Sequence, residues 1–249
     1  MKINSKLKIA LYISFISILL NSCIKKADNH IGPTMGKLIS SIQYSTGGTN
    51  TYTYNSSGQR STFVYKSGTI TEIGSYTYTA SSITMLANEI SGTNSYTIKS
   101  TILLNNAGLA ISEVDSTTGS STSGNTLYYT YDANGYRTSA ITQSSTQNFT
   151  YQNGNLSSVI YSGTTPYNYT YTYLMDKPNT LGNQNVGIYY LGKDNANLKN
   201  TYTNTYGSST TTYYNSYIFN SDGTVQKLTT TMVPSSGTPS TSWIAYTYQ

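Results

Sequence analysis

The chain has 249 residues, enough for one large β domain or two small ones, with charged residues at only 9% and 27 tyrosines against 4 phenylalanines and 1 tryptophan. Leu, Ile, Val and Phe are sparse, as in a weakly folding chain, but the bulk is Thr, Tyr and Ser, and Thr and Tyr favour strands. The formal charge of +5 includes Lys2, Lys6 and Lys8, which lie in a segment expected to be removed, and the remaining Lys and Arg are scattered, which excludes the clustered basic surface that binds nucleic acid.

The N-terminus opens with the basic stretch MKINSKLK, followed by the mostly apolar run Ile9–Leu20. That run is too short for a bilayer-spanning helix of about 20 residues and fits the core of a signal peptide. Leu20, Asn21, Ser22 and Cys23 follow. This order, with Leu three residues before Cys and a small residue directly before it, resembles a bacterial lipobox. The resemblance implies that residues 1–22 are a signal peptide, and that cleavage leaves Cys23 acylated at the new N-terminus. Cys23 is the only cysteine, so it has no intramolecular disulfide partner. Several acyl chains on one residue anchor stably, since each buried CH₂ contributes about 0.8 kcal/mol. The membrane is therefore an expected partner, through Cys23, and the expected location is the outer membrane of a Gram-negative bacterium. Residues 23–36, polar and carrying Gly32-Pro33, read as a tether. Lys25 and Lys26 beside a single acid, Asp28, leave both the cell surface and the periplasmic face open.

From Lys37 to Gln249 the pattern alternates with period two and predicts one all-β domain. Tyr alternates with Thr or Asn at Thr51–Tyr54, Ser75–Thr79, Tyr167–Tyr173 and Ala245–Tyr248. Between strands recur four-residue bends, Asn55–Gly58, Asn105–Gly108, Asp132–Gly135 and Asn220–Gly223, with Gln152–Asn155 as a shorter relative. Asn or Asp opens each full bend and Gly closes it with positive φ. About sixteen strands fit this spacing. Hairpins so close together make an antiparallel meander, and curling it into a barrel removes the exposed edges. The expected inside is Tyr, Ile, Leu and Val; the expected outside is Thr, Ser and Asn. Such an outside does not suit hydrocarbon, so a transmembrane barrel is set aside. Leu174–Asn200 breaks the alternation and reads as a long ordered loop with one helical turn, crossing the sheet or plugging its end.

The segment Tyr129–Ile141, YTYDANGYRTSAI, resembles a YD (RHS-type) repeat: a Tyr-rich strand, then Tyr-Asp-x-x-Gly, then a strand with Arg just after the Gly. Tyr52–Tyr65 and Tyr217–Thr229 match more loosely. Together with the lipobox and the segment from Lys177 to Thr203, the mature chain resembles Bacteroidetes-type lipoproteins of unknown function with a porin-like β fold. That resemblance covers nearly all of Lys37–Gln249 and implies a barrel-like meander without a known activity.

Chemistry is thin. A calcium loop at Asp132–Gly135 would need further acids at alternating positions and a later Glu, and none follows in the next dozen residues. The same bend recurs with Asn in place of Asp, which a turn explains. The single histidine, His30, lies in the tether, so no Ser-His-Asp or Cys-His arrangement belongs to the folded domain, and zinc lacks ligands. The domain acids are Glu72, Glu89, Glu113, Asp115, Asp132, Asp176, Asp194 and Asp222; of these, Asp176 and Asp194 flank the irregular loop and form the one pair to check for hydrolysis. Asp115-Ser116-Thr117, before a Ser/Thr/Gly loop, resembles a short O-glycosylation signal with Ser116 as acceptor. The Tyr stripes suit a core, or a platform for stacking sugars. Trp243 in the last strand reads as a packing residue at the barrel's closure. The expectation is a non-enzymatic, lipid-anchored binding or structural module without metal or cofactor. Its alternatives are a carbohydrate-binding accessory of glycan uptake and a hydrolase using a carboxylate pair. A glycan or an envelope protein is the expected partner.

Overall fold

A computed structural model describes residues 36–118 and 123–249; the signal segment, Cys23, His30 and most of the tether lie outside them. Sixteen strands follow one another. The first eight are β1 (Ile39–Tyr44), β2 (Thr49–Tyr54), β3 (Arg60–Ser67), β4 (Ile70–Tyr78), β5 (Ser82–Ser91), β6 (Asn94–Leu104), β7 (Ala110–Thr118) and β8 (Ser123–Tyr131). The others are β9 (Arg137–Ile141), β10 (Thr146–Gln152), β11 (Asn155–Ser162), β12 (Tyr167–Pro178), β13 (Asn197–Tyr206), β14 (Ser209–Phe219), β15 (Val225–Pro234) and β16 (Ser240–Tyr248). Each pairs antiparallel with the next, as the hairpin spacing predicts, and β16 returns to β1, so the sheet is a closed barrel. At the seam Ile39 faces Tyr248 and Tyr44 faces Ile244. The Gln249 and Ser45 N–H groups donate to the carbonyls of Leu38 and Trp243, both at 2.9 Å, and complete it.

The inner face is fixed by the buried Ile83, Ile102, Tyr129 and Val159. Pairing carries that face around the barrel. It takes in Tyr76 and Tyr78 of β4, Tyr169, Tyr171 and Tyr173 of β12, Tyr202 of β13, and Tyr246 and Tyr248 of β16. Between them Thr and Ser point outward and bond across strands, as in Thr53–Thr62 (2.6 Å), Thr130–Thr138 (2.7 Å) and Thr172–Thr201 (2.7 Å).

The outside is less uniform than the alternation suggests. Ile73, Leu86, Ile90, Leu103, Val114 and Ile160 are exposed on the outer wall of β4 to β11. Some of their cross-strand partners are polar, with Ile73 facing Asn88, Leu86 facing Lys99 and Leu103 facing Ser112, while Ile73 also faces Val64 and the exposed Tyr128 faces Ile141. Apolar and polar side chains are thus mixed on this side of the outer wall, where strand propensity favours β-branched residues. Trp243 also differs from the expectation. It points outward, with the Lys227 ammonium 4.8 Å from its ring centre, and only its carbonyl serves the seam.

An up-and-down meander sends every second connection to the same rim. All five Asx-Gly bends fall on one rim, because they are separated by whole hairpins. Three share one geometry: Asn55, Asn105 and Asp132 each accept, at their side-chain oxygen, the N–H groups two and four residues on, at 2.9–3.0 Å. At the fourth, Asp222 accepts from Thr224 instead, and its carboxylate pairs with Lys37. In the shorter bend both Asn153 and Gly154 have positive φ, at 52° and 77°, the mark of a type I′ turn.

The irregular segment is shorter than the sequence suggests. β12 runs on to Pro178 and β13 starts at Asn197, leaving 179–196 with two 3-10 turns, Asn183–Val186 and Tyr189–Leu191. This loop docks on the bends of that rim. The Arg60 N–H donates to the Gly187 carbonyl (3.1 Å), the Lys193 N–H to Gly135 (2.9 Å), and the Ala196 N–H to Gly154 (2.9 Å). Tyr189 Oη donates to the Gly58 carbonyl at 2.8 Å. Tyr190 and Leu191 pack on the cluster of Ile83, Ile102, Ala110, Tyr129 and Ala140. The loop therefore plugs this rim, while the described connections at the other rim are short turns.

Gly187 has φ +69°, and a Cβ there would lie 2.6 Å from the Arg60 amide nitrogen and 2.9 Å from the Gly58 carbonyl. Gly207 also has positive φ, but open space around it. Both substitutions to Ala strain the backbone, and only Gly187→Ala displaces the plug. Urea denaturation should show Gly187→Ala losing at least about 1 kcal/mol more than Gly207→Ala; equal losses contradict the docking.

Candidate functional site

Inside the barrel the few charged residues fall into two sets. The position two residues after a bend Gly starts a strand and points inward, which places Arg60 and Arg137 in the lumen below the plugged rim. The Arg60 guanidinium lies 4.3 Å from the Tyr52 ring centre, and its Nε donates to the Val186 carbonyl at 2.9 Å. The Arg137 guanidinium lies 4.5 Å from the Phe149 ring and 5.6 Å from that of Tyr129, and its Nε has no hydrogen-bond partner. On the other side, the Lys199 ammonium sits 4.8 Å from the Tyr171 ring and 5.1 Å from that of Tyr202. Each cation rests on aromatic faces, whose π density attracts positive charge.

The acids gather on the wall of β4 to β7. Glu72 lies directly opposite Glu89, and Glu113 opposite Ile102. Glu113 Oε2 accepts from the Tyr129 phenol at 2.6 Å, and Asp115 accepts from Ser100. Burial raises the Glu113 pKa, opposed by the Tyr129 hydrogen bond and joined by the nearby Asp115 charge. Burial, and then the facing Glu89, raise the pKa of Glu72.

The wall of β11 to β14 is aromatic. Tyr161 stacks on Tyr167 at 4.4 Å and 3°, and Tyr202 on Tyr213 at 4.2 Å and 4°. Tyr169 bridges them, 5.3 Å from Tyr167 and 6.4 Å from Tyr202, with Tyr171 alongside. These six rings form one belt of half-buried tyrosines on the lumen side. Burial raises the phenol pKa of Tyr202 to about 12 and pushes Tyr171 up further, so both stay neutral donors at ordinary pH. Where the belt meets the plug, a cavity of about 380 Å³ opens among Asn179, Asp194, Lys199, Tyr202, Tyr217 and Tyr246. A second hollow of about 680 Å³ lies around Tyr128, Ile141 and Gln143.

The residues singled out in the sequence are not gathered at one point. Asp132 and Asp222 sit in bends and serve backbone N–H groups. Asp176 is largely exposed beside Lys177 (3.2 Å). Asp194 accepts from the Asn183 and Asn195 N–H groups and lines the cavity, so the two acids do not share a pocket. Ser116 is on the outer face of β7, opposite Lys99. Lys199 and the Glu72–Glu89 pair escaped sequence reading, since both arise from register across strands; Lys199 signals itself only by standing in a Tyr-lined strand where Thr or Asn would alternate.

No protein-family model matches the chain, and no curated protein matches it. Among solved structures it is similar to a porin-like protein from Bacteroides uniformis, with a TM-score of 0.65, 16% identity, and coverage of 85% of this chain and 98% of that one. A porin-like protein from Bacteroides vulgatus aligns over 84% of this chain and 83% of that one at a TM-score of 0.36 and 13% identity. The first likeness is one of fold, a closed antiparallel barrel.

Because folding raises the Glu113 pKa, the folded state holds that proton more tightly than the unfolded chain does. The associated stability is present below the ordinary carboxylate range and is lost as pH rises through the raised value. Glu113→Gln keeps an acceptor for Tyr129 and cannot ionise. Its stability relative to wild type should therefore improve between about pH 4 and about pH 7 in urea titrations; a constant difference contradicts the shift.

Proposed function

We propose that the protein is a non-enzymatic binding module of the bacterial envelope, anchored through lipid on Cys23, whose lumen receives a carbohydrate chain. The observation that carries this reading is the belt from Tyr161 to Tyr213, with two parallel stacks at 4.4 and 4.2 Å on one inner wall. Ring faces suit the C–H faces of sugars, and neutral phenols suit sugar hydroxyls. The rings keep part of their surface accessible, whereas the apolar cluster that Tyr190 and Leu191 cap fills the lumen near the plug on the β5 to β10 side. A purely structural barrel would need the belt's wall packed in the same way. The YD-like bends and the lipobox support an envelope lipoprotein built from repeated hairpins, and Ser116 is its candidate O-glycosylation position.

Two measurements test this. On a glycan array the wild type should retain at least one oligosaccharide class; Tyr169→Ala should weaken that binding by about five- to tenfold, in line with roughly 1 kcal/mol per aromatic contact. Tyr214→Ala, on the outer wall, should leave it unchanged, and no retention on any glycan contradicts the reading. In native membranes, Cys23→Ser should release the protein into the soluble fraction. The intact mass of the natively expressed wild type should exceed that of the polypeptide from Cys23 onward by acyl chains, plus hexoses if Ser116 is modified. A mass matching lipid and polypeptide alone removes the sugar.

A further inference from the structure

Lys199, like Arg60 and Arg137, stands in the lumen without an ion-pair partner among the described residues, and of the three it alone lines the cavity beside the tyrosine belt. Among the described residues the ion pairs are Lys37–Asp222 and Lys177–Asp176, and Lys199 takes part in neither. Its one acidic neighbour in the cavity, Asp194, is committed to the loop. Asp194 Oδ2 accepts from the Asn183 N–H at 3.1 Å, and Oδ1 accepts from the Asn195 N–H at 2.7 Å and the Asn195 side-chain amide at 3.2 Å. The surrounding wall depresses the Lys199 pKa through desolvation, and Asp194 offsets that only in part. The side chain is partly exposed and lines the cavity. A cation removed from bulk water and resting on Tyr171 and Tyr202 alone is a poor final state, and a bound anion would complete it.

The walls around it are held in place by hydrogen bonds. Tyr217 Oη and the Asn215 amide both donate to the Lys199 carbonyl, at 2.6 and 3.1 Å, and Thr230 donates to Asn215 Oδ1 at 2.9 Å. The Tyr246 phenol lines the same cavity and makes no hydrogen bond among the described residues. A volume of about 380 Å³ falls within the range of small-molecule pockets. Tyr202 belongs both to this cavity and to the aromatic belt, so a chain lying on the belt runs into the cavity. The acids Glu72 and Glu89 stand on β4 and β5, eight strands from β12 and β13 and so on the facing wall. They disfavour an anion on their own side, while Lys199 stands at the end of the aromatic belt.

We propose that the compartment around Lys199 binds the carboxylate of an acidic sugar residue, so that the lumen takes a uronate-bearing glycan with its charged residue seated beneath the 179–196 loop. This rests on the carbohydrate reading and names its substrate class.

Isothermal titration tests it with four probes: tri-galacturonate, the neutral galactotriose, galacturonate alone and inorganic phosphate. The wild type should bind tri-galacturonate at least about tenfold more tightly than galactotriose, the size of one charge-assisted hydrogen bond. Galacturonate should bind more weakly than the trimer and more tightly than phosphate, which places the recognition in the sugar as well as the charge. Lys199→Met, which keeps the stem, should lose the preference for the acid while retaining galactotriose binding. Lys199→Arg should restore most of it. A wild type that binds both trisaccharides equally overturns the inference and leaves the carbohydrate reading standing, as does a folded Lys199→Met that keeps the preference. Phosphate binding as tight as galacturonate overturns the sugar assignment, and binding of no saccharide at all overturns both.

Discussion

The pairing of β16 with β1 is the constraint on which the rest of the molecule depends. Without it, fourteen internal strands would still pair, but β1 and β16 would each present a row of free N–H and C=O groups. Closure also turns a period-two pattern into chemistry. In an open sheet the Tyr face and the Thr face would both meet water. In the barrel one face becomes a lumen, where 4–5 Å contacts between rings and cations gain strength from reduced solvent. The exposed outer wall binds its Thr and Ser hydroxyls to one another across strands.

The lumen is asymmetric along its axis and around it. At one rim the repeated bends offer carbonyls at Gly58, Gly135 and Gly154, and the 179–196 loop answers with Tyr189, Lys193 and Ala196. Around the barrel the walls differ in kind. The β4 to β7 wall carries carboxylates, the β5 to β10 side near the plug is packed with apolar side chains, and the β11 to β14 wall presents stacked tyrosines leading to Lys199. A barrel that served only as a spacer would not need three different inner walls. This division favours a chamber with one receptive side.

Much of the architecture is legible in the sequence because it is local. The Asn55, Asn105 and Asp132 bends announce themselves by an Asx and a Gly three residues apart, and their side chains do cap the following N–H groups. The strand count and the inward Tyr stripes follow from the same short-range pattern, which leaves the irregular segment either crossing the sheet or plugging its end; its contacts with the bends settle on the rim. The extent of that segment did not follow: β12 continues through Asp176 and Lys177 because pairing with β13 resumes at Pro178 opposite Asn197 after a bulge. The candidate site was legible only as a composition, many tyrosines on one face. Which tyrosines stack, and that Lys199 stands between Tyr171 and Tyr202, depends on register summed over neighbouring strands, which no local motif encodes. Trp243 shows the converse. Its place in the closing strand is clear from sequence, but parity sends it outward, onto Lys227.

The central claim is that the inner wall of β11 to β14 receives the ligand. Tyrosine-selective ¹³C labelling, with NMR spectra recorded during titration with tri-galacturonate, tests it most directly. The account predicts shifts concentrated at Tyr167, Tyr169, Tyr202 and Tyr213, with the outward Tyr128 and Tyr214 unmoved. Shifts confined to the outer-wall tyrosines, or none at saturating saccharide, would contradict it.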